Sequence, residues 1–122
     1  MLKSLVFAAA LLAAGPAFAA EPAGPAPKAA NGMYVTAKGM TLYTFDKDTP
    51  GKSNCTGECA VHWPPVKAAA DAKPTGDLTI ITRDDGTKQW ADEGKPLYTF
   101  MKDKKPGDVM GDSIPGWHAV KE

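Results

Sequence analysis

An internal repeat is the feature that most constrains this chain, because a fold built from two copies of one unit must satisfy each packing requirement twice. The run Leu42-Tyr43-Thr44-Phe45 recurs as Leu97-Tyr98-Thr99-Phe100, and the Lys-Asp pair that follows it recurs in the same register. Further downstream, Trp63 matches Trp117. The sequence therefore predicts two copies of a unit of about 55 residues, over approximately residues 33–67 and 78–121.

The sequence of each copy predicts short β-strands. Leu-Tyr-Thr-Phe is strand-prone, and its Tyr and Phe are two residues apart, so they lie on the same face of a strand. Met33–Thr36 is available as an upstream partner in the first copy. In the second copy, strand-like runs flank the turn Asp84-Asp85-Gly86, which favours a hairpin that a third strand extends into a meander. Trp117–Val120 is a candidate final strand.

Helical signal is confined to the segment from Cys55 to His62, where one or two turns fit before Pro64-Pro65 ends them. We therefore predict a mainly β fold. It is a small single domain of two antiparallel β repeats of about 55 residues each, with one short helical turn.

Residues 1–19 have the plan of a secretory signal peptide, with Lys3, an apolar run from Leu5 to Ala14 and small residues at Ala17 and Ala19. The apolar run is well short of the roughly 20 residues that cross a bilayer as a helix. We predict cleavage after Ala19, no membrane span thereafter, and a bacterial protein that is periplasmic or secreted. Residues 20–30 are rich in Pro and Ala and are predicted to be a flexible tether, with the folded domain over residues 31–122.

The repeated motif resembles that of a known family. Tyr43-x-Phe45-x-x-Asp48 and Tyr98-x-Phe100-x-x-Asp103 are similar to the Y-x-(F/W/Y)-x-x-D motif of bacterial secreted-repeat proteins of unknown function, which are often predicted lipoproteins. The segment from Cys55 to Pro65 and the segment from Ile81 to Gly86 also resemble that family. The resemblance implies export and a repeat architecture and assigns no activity. No cysteine lies near the predicted cleavage point, so the lipid attachment of the lipoprotein members is not expected here.

Two interpretations of the motif residues follow from the sequence. In the first, the aromatic side chains pack in the core and the carboxylates fix the turns after the strands. In the second, the hydroxyl and carboxyl groups are presented together in a groove as ligand-facing residues. The residues concerned are Tyr43, Phe45, Asp48, Tyr98, Phe100 and Asp103. Twofold repetition favours packing over catalysis, because one active centre rarely needs its parts twice.

Cys55 and Cys59 are the two cysteines of the chain, and in an exported protein we expect them to form a disulfide. The alternative is a soft metal site, for Cu(I) for example, that uses both thiolates together with His62. On that alternative the protein is a periplasmic metal (copper) or redox accessory protein.

Charge and motif content exclude several classes of function. Lys and Arg total 14 and Asp and Glu total 14, so the net charge gives no case for a nucleic-acid partner. The sequence has no HExxH and no Gly-rich phosphate loop, and we expect neither a cofactor nor an enzymatic activity. We therefore predict an exported, periplasmic, non-enzymatic binding or structural module whose partner is an unknown protein or cell-envelope component.

Overall fold

The structure is a computed structural model that describes residues 24–121, so the predicted signal peptide lies outside the described residues. The described chain forms short strands β1 to β7, one helix α1 and one 3₁₀ turn. Their bounds are β1 Lys28–Ala30, β2 Met33–Val35, β3 Tyr43–Phe45, α1 Glu58–His62, β4 Leu78–Thr82, β5 Lys88–Asp92, β6 Lys95–Pro96, the 3₁₀ turn Met110–Ser113 and β7 Trp117–Ala119. Within these residues no helix is long and apolar enough to span a bilayer.

All strand pairs are antiparallel, which confirms the predicted fold class. The predicted meander is present as the sheet β4-β5-β6, in which Ile80 lies opposite Trp90. Gly86 in its first turn has a φ of 90°, a left-handed conformation that glycine adopts without steric cost. The predicted helical turn is α1, which ends immediately before Trp63 and the two prolines.

The strand of the first motif pairs across the repeats. In β3 and β7, Tyr43 lies opposite Ala119 and Phe45 lies opposite Trp117. The expected upstream partner, β2, instead pairs with β1 and touches the first motif at its beginning, where the backbone N–H of Leu42 donates to Tyr34. The first motif is thus held by the last strand of the second repeat.

The predicted tether over residues 20–30 does not fit the structure in its second part. Lys28–Ala30 is a strand, Pro27 is buried, and the indole N–H of Trp90 donates to the carbonyl of Gly24 at 3.3 Å. Proline cannot donate a backbone hydrogen bond, but the residues that follow Pro27 can, and β2 provides their partners. The folded part therefore begins before the predicted boundary at residue 31.

Two apolar clusters form the core, and each draws on both repeats. Neighbouring strand residues point to opposite faces, so Leu42 and Leu97 enter one cluster while Tyr43 and Tyr98 enter the other. The first cluster also contains Ala68, Leu78, Trp90 and Val120. The second also contains Cys55, Trp63, Phe100 and Trp117. Because neither repeat encloses a cluster by itself, the two copies form one domain.

Candidate functional site

The repeated motif forms a reciprocal lock between the two halves. The hydroxyl of Tyr43 donates to Asp103 Oδ2 at 2.6 Å, and the hydroxyl of Tyr98 donates to Asp48 Oδ2 at 2.6 Å. The backbones of the two tyrosines also bond each other in both directions, at 2.8 and 3.0 Å. Each tyrosine therefore bonds to the aspartate of the other copy, around a local twofold relation.

The second oxygen of each aspartate holds the loop that follows its own motif. Asp48 Oδ1 accepts the backbone N–H of Asn54 at 2.6 Å, and Asp103 Oδ1 accepts that of Met110 at 2.8 Å. Both carboxylates thus have both oxygens engaged within the protein. Hydrogen bonds of this charge-assisted kind are stronger than neutral ones, so the lock also fixes the loops.

Four aromatic rings stack in a row beneath the lock. Phe45 stacks on Trp117 with ring centroids 4.2 Å apart, Trp117 on Trp63 at 3.7 Å, and Trp63 on Phe100 at 4.1 Å. Each tyrosine directs an edge contact at one of the two central rings. We call this row the aromatic stack. Its rings come alternately from the first and the second repeat, so each of the three stacking contacts joins the two repeats.

Burial controls the ionisation of the lock. Burial, and then the hydrogen bond to Asp103, raises the pKa of Tyr43. Burial, and then the hydrogen bond to Asp48, likewise raises the pKa of Tyr98. The pKa of Asp48 is also raised by burial, against the opposing effect of the hydrogen bonds from Tyr98 and Asn54. Both phenols are neutral hydrogen-bond donors at physiological pH.

The two tyrosines have different neighbours. Tyr98 shares a 2.6 Å hydrogen bond with Ser53, and Arg83 donates to Ser53 at 2.9 Å and to the carbonyl of Cys55 at 2.8 Å. Tyr43 instead accepts the backbone N–H of Gly111 at 3.1 Å. Sequence reasoning missed Ser53 and Arg83 as parts of the lock. Arg83 lies in a segment that resembles the family, but no spacing rule connects it to Ser53.

Four of the six motif side chains lie inside the core. Tyr43 and Tyr98 have no exposed surface, and Phe100 and Asp103 are buried. The interpretation of these four as ligand-facing residues does not fit the structure, because no ligand reaches them without displacing core contacts. Phe45 and Asp48 are half-buried and line a surface groove.

The predicted disulfide between Cys55 and Cys59 is present, with their Cα atoms 5.2 Å apart. Both sulfurs are consumed by this bond, so they do not supply the thiolate ligands that the copper alternative requires with His62. Within residues 24–121, no group of three or more His, Cys, Asp or Glu side chains is placed to hold a metal ion. The predicted metal set of Cys55, Cys59 and His62 therefore does not fit the oxidised structure.

The groove beside Phe45 is the candidate functional site. It has a volume of about 370 Å³ and lies between the end of the first motif, the turn after it, and strands β6 and β7. Its lining includes Phe45, Asp46, Asp48, Lys95, Pro96 and His118. Nε2 of His118 lies 2.9 Å from Asp46 Oδ1, an exposed contact that bridges residues 72 positions apart in the chain.

Comparison with known proteins identifies the same two halves. The family model described as a secreted repeat of unknown function matches residues 28–67 and again residues 79–121, which together are more than half of the chain. Each match contains one tyrosine and one aspartate of the lock. No curated protein and no solved structure matches the chain.

Proposed function

The chain belongs to the family of secreted repeats of unknown function, as its motif predicted, and on this premise we propose that it acts in the bacterial periplasm as a non-enzymatic binding module. One observation carries the proposal. The hydroxyl and carboxyl groups of both motif copies bond each other and the adjacent loops, so the motif supplies cohesion. We infer that the groove beside Phe45, where the two repeats differ, makes the contact with a partner.

The ionisable groups of the lock are poorly suited to catalysis. A general acid or base must reach a substrate and have a pKa near the working pH. Tyr43 and Tyr98 have a raised pKa and no exposed surface, and Asp48 has both oxygens engaged by other groups. These features favour a binding or structural role over an enzymatic one.

The groove has the mixed character of a small binding site. Such sites combine apolar surface with a few polar groups, in volumes of about 300–1,000 Å³. Here Phe45 and the exposed Pro50 supply apolar surface, and Asp46, His118 and Lys95 supply charge and hydrogen bonds. A protein or cell-envelope component with a polar edge and a small apolar face fits this lining.

The disulfide supports the proposed location. Disulfides persist in oxidising compartments such as the periplasm and are rare in the cytosol. The bond between Cys55 and Cys59 lies beside Trp63 in the second apolar cluster, so the disulfide is part of the folded core. We expect periplasmic fractions to contain the chain without residues 1–19 and with no free thiol, as intact mass before and after reduction would measure.

Site-specific photo-crosslinking in living cells tests the binding role. A photoreactive residue at Lys95, on the groove, is expected to give a discrete crosslinked product that Asp46→Lys abolishes. The matched control is Lys73, an exposed residue on a different depression that Trp90 lines. Equal products from both positions, or none from either, would contradict recognition through the groove.

A further inference from the structure

The aromatic stack is open to the surface at one end. Phe45 packs on Trp117 and lines the groove, and no other aromatic ring of residues 24–121 stacks on it. Phe100, at the opposite end, is only 8% exposed. The structure therefore presents an aromatic surface in the first repeat and closes the equivalent surface in the second.

Polar groups with unused hydrogen-bonding capacity surround this ring. Among the residues that the structure describes, the side chains of Asp46 and His118 bond only each other, and they keep 61% and 59% of their surface exposed. The side chains of Thr44, Thr49 and Lys95 form no hydrogen bond within residues 24–121. A carboxylate has about four acceptor positions and an ammonium three donors, so the groove offers both kinds of partner.

The groove contains charges of both signs. Asp46 and Asp48 are negative, Lys95 is positive, and His118 is positive when it is protonated. A phosphorylated ligand would meet two carboxylates, and a cation would meet the Lys95 ammonium. Because charges of both signs oppose a ligand of either charge, the groove favours a neutral ligand that hydrogen-bonds through hydroxyl groups.

We propose that this groove binds a neutral saccharide ring, an inference that rests on the proposed binding function. A pyranose has an apolar face of C–H groups, which packs against the negative face of an aromatic ring such as Phe45. Its hydroxyl edge donates to Asp46 and accepts from the Lys95 ammonium. The volume of about 370 Å³ is near the lower end of ligand sites, which suits one ring rather than an extended chain.

The test is titration of the ¹⁵N-labelled mature protein, with the disulfide intact, by neutral sugars. The probes are methyl glucoside, N-acetylglucosamine and its disaccharide, with glucose 6-phosphate as the charged control. We expect saturable shifts of the amides of Phe45, Asp46 and His118, and affinity about tenfold or more weaker for the phosphate ester, because its charge faces two carboxylates. A parallel arm pellets the protein with purified peptidoglycan, which distinguishes a polymer-bound sugar from a free one.

Variants locate the binding. Asp46→Asn removes an exposed charge outside the core, and Phe45→Leu removes the ring; each is expected to weaken sugar affinity about tenfold or more. Met101→Leu is the matched control, because Met101 stands where the first repeat has Asp46, and it should leave the affinity unchanged. Circular dichroism melting verifies that each variant is folded.

Three results would overturn the saccharide assignment: no shift with any neutral sugar at its solubility limit, shifts that lie outside the groove, or full affinity in Asp46→Asn. These outcomes are separable from failure of the binding role. If the Lys95 crosslink persists while every sugar fails, the groove binds another class of partner. If the crosslink is absent as well, the binding role itself fails.

Discussion

The two repeats share one scaffold and differ where the aromatic stack ends. Equivalent backbone hydrogen bonds support both ends: the N–H of Asp46 donates to Gly116, and the N–H of Met101 donates to His62, each at 2.9 Å. At the first end the chain places Asp46 and His118, and in the same register at the second end it has Met101 and Pro64. Duplication therefore supplies the frame, and a few substitutions at one end create the groove.

The two copies of the lock differ in a second respect. The Tyr43 hydroxyl accepts the backbone N–H of Gly111 in the 3₁₀ turn. The Tyr98 hydroxyl instead bonds the side chain of Ser53, which Arg83 connects to Gln89. The same Tyr–Asp bond is thus maintained by unrelated neighbours, and equivalent substitutions should not have equal effects.

The largest effect is expected at the centre of the stack, where the repeats are most alike. Trp63→Ala or Trp117→Ala removes a buried ring between two others and should cost about 3–5 kcal/mol of unfolding free energy in either repeat. Urea denaturation measures it, with the exposed Val61→Ala as control. A large cost at one tryptophan and almost none at the other would break the equivalence of the two halves.

A smaller effect is expected from Gly111→Ala, which probes the close packing in the Tyr43 half. A Cβ atom there would lie 2.7 Å from Cη2 and 2.8 Å from Cζ3 of Trp63, well inside contact distance. Overpacking of this kind costs about 1–3 kcal/mol. Thermal melting should show a lower Tm than for Ser113→Ala, an exposed change in the same 3₁₀ turn, and equal Tm values would contradict the packing described.

The two locks should respond unequally to loss of the hydroxyl. Tyr43→Phe leaves Oδ2 of the buried Asp103 and the N–H of Gly111 without their partner, and should cost about 1–3 kcal/mol. Tyr98→Phe should cost less, because Asp48 is half-buried and water can replace the lost donor. Equilibrium unfolding in urea compares them. A larger cost for Tyr98→Phe than for Tyr43→Phe would contradict this prediction. It would show that the side-chain hydrogen bonds around Tyr98 contribute more to stability than the burial of Asp103.

The smallest effect is a pH dependence specific to the Tyr98 half. Burial raises the folded-state pKa of Asp48 above its ordinary value of 3.8. The folded state then binds this proton more tightly, so the stability that Asp48 contributes is full below pH 3.8 and is lost as the pH rises through the raised pKa. Asp48→Asn should lack this loss. Tm values measured from about pH 3 to about pH 7 should fall for the wild type relative to the variant, and parallel curves would contradict the prediction.

Local sequence signals predicted much of the fold. The Asp84-Asp85-Gly86 turn between strand-prone runs predicted the meander, and the repeated Tyr and Phe predicted buried strand faces. The tether prediction failed in part because composition alone does not show that β2 and Trp90 bind the segment after residue 23. Local signals are reliable where the partner is near in the chain.

The site depends on contacts that no local signal reveals. Tyr43 and Asp48 belong to one motif copy and suggest a local pair, yet the antiparallel backbone contact between Tyr43 and Tyr98 brings each tyrosine to the other aspartate. Asp46 and His118 meet because β3 pairs with β7, which the sequence did not predict. Only the structure therefore reveals that the strands and motif side chains of one repeat pair with those of the other.

A double-mutant cycle on the motif tests the reciprocal lock most directly. Tyr43→Phe combined with Asp103→Asn should show a coupling free energy of about 1 kcal/mol or more, since these side chains bond each other across the repeats. Tyr43→Phe combined with Asp48→Asn, within one motif copy, should be additive within about 0.5 kcal/mol. Strong coupling within the copy and additivity across the repeats would contradict the exchange of partners on which the single domain depends.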